Sequence, residues 1–179
     1  GEPFALIAKP CDLNAMRRLA HHDPRVNKLV RYWLTPVCGG FMPDAGFRQF
    51  ATRMEHDPDR ITGVRYRGHG CPGATRFEHE DGTATEHHYL DVWGEDDSQW
   101  VLPFRCKICA DGIGEAADIA AADNWDGGAP TRELAETDPG SNAVIIRTEA
   151  GAALFDEAVA AGRLVAEISL DVNDLGRMQ

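Results

Sequence analysis

Cys106 and Cys109, separated by two residues, lie in the run Phe104-Arg105-Cys106-Lys107-Ile108-Cys109-Ala110-Asp111-Gly112. At that spacing two thiolates can grip one metal ion or form and break a disulfide. Two more cysteines stand upstream, Cys11 after Lys9-Pro10 and Cys38 before Gly39-Gly40. Pro and Gly mark both places as chain reversals, from which a ligand can point inward without interrupting a helix or strand. Were all four thiolates to meet, they would form one metal centre.

Spacing alone leaves several readings open. A redox dithiol wants its first cysteine at a helix N-terminus, and Asp111-Gly112-Ile113-Gly114 just after the pair is a poor helix start. Zinc sites favour two closely spaced pairs, whereas the upstream cysteines are single residues far away. Iron–sulfur clusters accept ligands scattered along a chain. Single cysteines are also common as small buried packing residues.

The elements that would position these thiols follow from periodicity and punctuation. Residues 3 to 8 read as a buried strand, and Asp12 as the cap of a helix to about Ala20, so that Cys11 falls in the turn between them. Asp23-Pro24 ends that unit, and Leu29 to Leu34 alternates like a second strand. Cys38-Gly39-Gly40 then turns into a helix opened by Pro43 that buries Phe47, Phe50 and Met54. This is a β-α-β-α start.

From Arg60 the texture becomes β. Ile61 to Tyr66 is followed by the Gly-rich loop Arg67-Gly68-His69-Gly70-Cys71-Pro72-Gly73, then by two runs flanking Asp81-Gly82, a hairpin signal. A short helix is expected within 92 to 103, then the Cys-x-x-Cys cluster loop. Strands follow at Ala117 to Ala122 and Ala143 to Arg147, with the long loop Asn124 to Gly140 between them. Thr148 caps a helix to Ala161 that Gly162 ends, and Leu164 to Ile168 reads as a last strand. The expected fold is α+β, with mixed sheets and flanking helices: the β-α-β-α part, a β-hairpin region and the cluster loop.

At 179 residues the chain is long enough for one domain with a real core, and residues 1–179 read as a single domain. It begins at Gly1, midway into an expected strand, which predicts a fragment of a longer protein. No apolar run approaches the roughly 18 residues that span a bilayer. A net charge of -11 argues against nucleic acid, which needs a basic field to displace counterions. The basic residues Arg65, Arg67, Arg76, Arg105 and Lys107 gather in the middle third, which suits an anionic cofactor. Five cysteines, an odd number, without a secretory signal predict reduced thiols in the cytoplasm.

Five segments carry a resemblance: Lys9-Pro10-Cys11-Asp12-Leu13-Asn14-Ala15-Met16, Cys38-Gly39-Gly40, Arg65 to Gly73, Cys106-Lys107-Ile108-Cys109-Ala110-Asp111-Gly112-Ile113-Gly114 with its continuation to Ala120, and Asp123-Asn124-Trp125. In order and spacing the chain resembles the β-subunit family of coenzyme F420-reducing hydrogenases and dehydrogenases, over nearly its whole length but without the family's N-terminal portion. The resemblance implies a flavin and iron–sulfur oxidoreductase that binds FAD and a 4Fe-4S cluster. It would exchange hydride or electrons with F420 or a related small molecule, with other redox subunits as possible partners. It makes Cys11, Cys38, Cys106 and Cys109 the cluster ligands and leaves Cys71 out. A rival reading is a non-catalytic electron-transfer or structural module of a larger redox complex, holding zinc or no metal.

For the flavin the resemblance points to Arg67, Gly68, Gly70, Lys107, Asp123, Asn124, Trp125, Ser141 and Asn142. Neither glycine-bearing loop is a G-x-G-x-x-G fingerprint within a strand–turn–helix unit. Such loops are often plain turns, and Trp125 has a core role as its alternative. Among the histidines, His69 in the Gly-rich loop is the catalytic candidate. His21-His22 at a helix end and His87-His88 in a hairpin arm suit solvated roles. Glu115 and Asp118 are expected to orient the loop rather than to act as acid–base groups.

Overall fold

The structure, a computed structural model, describes residues 1–93, 100–125, 131–135, 137–171 and 173. The chain divides into two compact units. The first comprises Gly1–Gly39, Cys109–Asn124 and Asn142–Gln179, and the second Gly40–Ile108 and Trp125–Ser141.

The first unit is built on a four-stranded sheet in the order β1 (Phe4–Ile7), β2 (Val30–Pro36), β6 (Ile119–Asp123), β7 (Asn142–Ile146). β1, β2 and β6 run parallel, and β7 returns antiparallel to β6. Parallel neighbours need a crossover, supplied between β1 and β2 by α1 (Pro10–Leu19) and α2 (Pro24–Leu29). Leu13 of α1, Val26 of α2, Val30 and Trp33 of β2 and Ala117 form the core, with Leu6, Met16 and Ala20 packed against it. α6 (Glu149–Ala160) follows β7, and its N-cap is Thr148, whose Oγ1 accepts from Gly151 N at 3.1 Å. Gly151 is required for closeness: a Cβ there would stand 2.5 Å from the Asp118 carbonyl oxygen.

Asp118 ties this unit together. It is 5% exposed, and its Oδ2 accepts from Trp33 N at 2.9 Å while its Oδ1 accepts from Thr148 Oγ1 at 2.9 Å. Arg17 of α1 adds an ion pair to Oδ1 at 3.5 Å, donates from Nε to the Ala116 carbonyl at 3.0 Å, and lies 4.0 Å above the Trp33 ring. One carboxylate thus joins α1, β2 and the cap of α6.

The second unit holds an antiparallel sheet β3 (Ile61–Arg65), β4 (Thr75–His79), β5 (Ala84–His87), with α3 (Asp44–Arg53), a 3-10 turn at Pro58–Arg60, α4 (Tyr89–Trp93) and α5 (Phe104–Lys107). Phe50, Phe77 and Val92 are its core, with Phe47, Met54 and Ile61 against them. Phe47 and Phe50 meet Phe77 edge-on, with centroids 6.3 and 5.9 Å away. The Asp81-Gly82 hairpin forms as expected, Asp81 Oδ1 accepting from Thr83 N at 2.9 Å.

The fold is α+β with mixed sheets and flanking helices, but the cluster loop expected as part of it is not there. Cys106 lies inside α5, Cys109 follows that helix, and among the described residues no group of three or more His, Cys, Asp or Glu side chains is placed to hold a metal ion. Pro103 opens a helical turn where a loop was expected, and this removes the common loop the two thiols would share.

Other boundaries shift for identifiable reasons. The N-terminal order is β-α-α-β-α, because Asp23-Pro24 starts a helix instead of only ending one. Asp23 caps it by accepting from Arg25 N, and Pro24 fills its first position. Hydrogen bonds from Arg25, side chain first and then backbone, hold the Asp23 carboxyl down to about 2. The strand expected over residues 3 to 8 forms over Phe4–Ile7, but at the sheet edge, and Ile7 is 70% exposed instead of buried. α1 begins earlier than expected, with Lys9 as N-cap, which puts Cys11 in the helix and not in the turn before it. The helix expected within 92 to 103 is α4, earlier in the chain, and residues 94–99 lie outside the described set. Leu164 to Ile168 forms no strand, and Val165 is 88% exposed: alternation needs a partner strand for its backbone groups, and none pairs with it among the described residues.

Candidate functional site

The sequence-predicted site residues fall into three groups. In the first unit, Cys11 is exposed in the first turn of α1, Cys38 is half-buried after β2, and Cys109 is exposed. The chain following Cys109 is bound to the neighbourhoods of the other two. Asn14 of α1 donates to Asp111 Oδ2 at 2.6 Å, and Cys38 N donates to the Gly112 carbonyl at 2.8 Å. Lys9 faces the same region. Its ammonium pKa is raised first by the hydrogen bond to Asp12 at 2.5 Å, then by the Asp12 charge, and to a smaller extent by the Cys11 and Cys38 thiols. Asp111 also accepts from Glu115 N at 2.9 Å, so it orients the loop from both ends. Cys106 belongs to the second unit, half-buried in α5, with Lys107 exposed beside it.

The second group is the Gly-rich loop, within the second unit. Gly68 and Gly73 bridge across its base, Gly68 N donates to the Pro72 carbonyl at 2.9 Å, and Gly73 N donates to the Ala135 carbonyl at 2.9 Å. A Cβ on Gly73 would stand 2.2 Å from the Gly68 carbonyl oxygen, and its φ of +75° is itself disfavoured for other residues. His69 takes φ +60° although it is not glycine, and it is exposed. The Arg67 guanidinium stands 5.6 Å from the Trp125 ring centre and 6.0 Å from that of Tyr89, within cation–π range. Two buried donors beside this loop have no hydrogen-bond partner among the described residues, Trp125 Nε1 and Arg65 Nε. Arg65 Nε is adjacent to Gly68, 3.5 Å from where a Cβ on that glycine would lie. Cys71 packs against Gly140.

The third group is set by strand register. Asp123, the last residue of β6, pairs with Asn142, the first of β7, with Asn124 and Ser141 as their outer neighbours in sequence. Antiparallel pairing therefore brings Asp123 and Asn142 together although 18 residues separate them.

Residues 1–169 match the family model that describes the C terminus of the coenzyme F420 hydrogenase/dehydrogenase beta subunit. The chain belongs to that family. Its fold is similar to a chain of the F420-reducing [NiFe] hydrogenase complex from Methanosarcina barkeri, with a TM-score of 0.56 at 17% sequence identity. That similarity covers 90% of this chain and 50% of the solved one, so the chain spans about half the length of its structural relative. No curated protein matches it. Membership of the coenzyme F420 hydrogenase/dehydrogenase β-subunit family places the chain among redox proteins. No metal-binding or flavin-binding site is evident among the described residues. None of the described helices is long and apolar enough to cross a membrane.

Two features escaped the sequence reading. Asp118 was expected to orient the loop, yet it joins three elements of the core. His87 was expected in a solvated arm, yet it packs against Phe77 and His56. The signal was present in strand alternation: Phe77 and His79 share one face of β4, and the register carries that face onto Thr85 and its neighbour His87 in β5.

Proposed function

We propose that this chain is part of an oxidoreductase subunit that exchanges hydride or electrons with a deazaflavin partner, coenzyme F420 or a related small molecule, alongside other redox subunits. The family match over residues 1–169 is the observation that carries the reading. FAD is the carrier that the finer reading adds. Its setting is the cytoplasm, which suits five free cysteines.

Two buried donors support the flavin reading. Trp125 Nε1 and Arg65 Nε are buried donors lacking an acceptor, and an unmade buried hydrogen bond is costly until a ligand supplies it. Bound FAD would supply the two-electron hydride chemistry, which the protein tunes by position and charge. Arg67 would hold positive charge beside the ligand, Trp125 would offer a flat face and an N–H, and Gly68 and Gly70 would let a phosphate or ring approach the backbone. Lys107 would add a cation. Asp123, Asn124, Ser141 and Asn142 are assigned to the flavin by resemblance alone, and His69 remains the catalytic candidate.

The metal is a different case. Cys11, Cys38, Cys106 and Cys109 are donors of the right type for a 4Fe-4S cluster. Cys11, Cys38 and Cys109 belong to the first unit and Cys106 to the second, and no trio of donors among the described residues is placed to hold a metal, so no step of the reading runs through a cluster.

The test is electron transfer to F420. Protein loaded with FAD and reduced without oxygen is expected to pass one electron pair per bound flavin to added F420, leaving the flavin oxidised. Flavin-loaded protein that reduces a one-electron dye yet leaves F420 oxidised would point instead to an electron-transfer module.

A further inference from the structure

Three histidines with no part in that reading meet in the second unit. His56 Nε2 lies 2.6 Å from His87 Nε2. The His79 ring lies 5.1 Å from that of His56, tilted by 31°, and its Nε2 is 3.2 Å from Thr85 Oγ1. Thr85 Oγ1 also reaches His56 Nε2 at 3.5 Å. The fully buried ring of Phe77 is 5.1 Å from His56 and 5.6 Å from His87. The facing Nε2 atoms of His56 and His87 stand at hydrogen-bond distance, and the chemistry that such a contact offers is proton exchange.

A hydrogen bond between two imidazole nitrogens requires one of them to be a neutral acceptor. The pair can therefore carry one proton between its facing nitrogens and no more. A second would set two N–H groups against each other at 2.6 Å, beside an apolar ring that cannot solvate the charge. The two histidines come from different elements. His56 is held to the end of α3 by donating from its backbone to the Ala51 carbonyl at 2.9 Å, whereas His87 closes β5. Parting the rings parts those elements.

We infer that His56, His79 and His87 form an acid-sensitive latch that fastens the end of α3 to the β4–β5 hairpin and opens when a second proton enters the His56–His87 pair.

The charged neighbours oppose opening only weakly. Asp81 at the hairpin tip faces His79, but it is hydrogen-bonded first to Thr83. Asp91 of α4 faces His87 and His88, and it is already paired with Arg132 at 2.7 Å. Burial first, then the charges of His87 and His79, lower the His56 pKa. His56 is therefore neutral in the folded unit at a pH where the unfolded chain, with an ordinary value of about 6.5, binds a proton. The stabilisation is complete above that value and declines as pH falls through about 6.5 towards the lower folded one.

Urea unfolding of the whole chain at about pH 7.5 and about pH 5, for wild type, His56→Gln, His87→Gln and the double variant, tests the latch. At the higher pH the cycle should show a His56–His87 coupling of about fivefold in the folding constant, the range of one hydrogen bond, and at the lower pH none. Equal coupling at both values would overturn the latch. Should a variant fail to fold, imidazole nitrogen NMR of the wild type decides. His56 must take up its proton below the ordinary value of about 6.5, and a His56 midpoint at or above that value would contradict the inference.

Discussion

Asp118→Ala is expected to destabilise the first unit by about 3 kcal/mol, lowering its thermal midpoint by roughly 12–24 °C. The substitution leaves Trp33 N without its acceptor at 2.9 Å inside the core and deprives Thr148 Oγ1 of the group that positions it as the α6 cap. The Arg17 ion pair adds little, since Arg17 is 37% exposed and stands at 3.5 Å. Asp118→Asn keeps an acceptor of nearly the same shape and should cost only about 1 kcal/mol. Thermal unfolding followed by near-ultraviolet circular dichroism, which senses Trp33, measures both. Equal losses for the two variants would show that charge, and not the acceptor at Trp33, is what matters.

The second large effect has opposite signs for stability and binding. Trp125→Phe keeps a ring beside Arg67 but removes a buried N–H that has no partner among the described residues. The unliganded protein should therefore gain about 1 kcal/mol, because the desolvated donor is gone. FAD affinity, measured by quenching of flavin fluorescence, should fall by about fivefold to tenfold through loss of one ligand hydrogen bond. Arg67→Ala should weaken FAD by a similar factor without the gain in stability. Trp125→Phe that raises stability and leaves FAD binding unchanged would make Trp125 a packing residue with an imperfect environment.

How far the fold could be read from sequence depended on whether a signal was local. Thr148 and Gly162 bracket α6 with side-chain and backbone chemistry that acts within a few residues, and both sit where expected. The Asp81-Gly82 turn and the Phe47, Phe50, Met54 stripe are equally local. Asp23-Pro24 was ambiguous because the same pair can stop one helix and start the next, and only the capping bond to Arg25 N decides. The alternation in residues 164–168 promised a strand that has no partner among the described residues. The Cys106 and Cys109 spacing promised a shared loop, but a helical turn opened by Pro103 takes Cys106 into α5 and leaves Cys109 after it. His56, 31 residues from His87, gave no linear hint of their contact.

The flavin content of the full chain, purified without oxygen and then titrated with FAD, bears most directly on the central claim of a flavin-linked redox protein. About one FAD bound per chain, reducible and able to pass its electrons to F420, is the expected result. Protein that is colourless when purified and takes up no FAD on titration would contradict it.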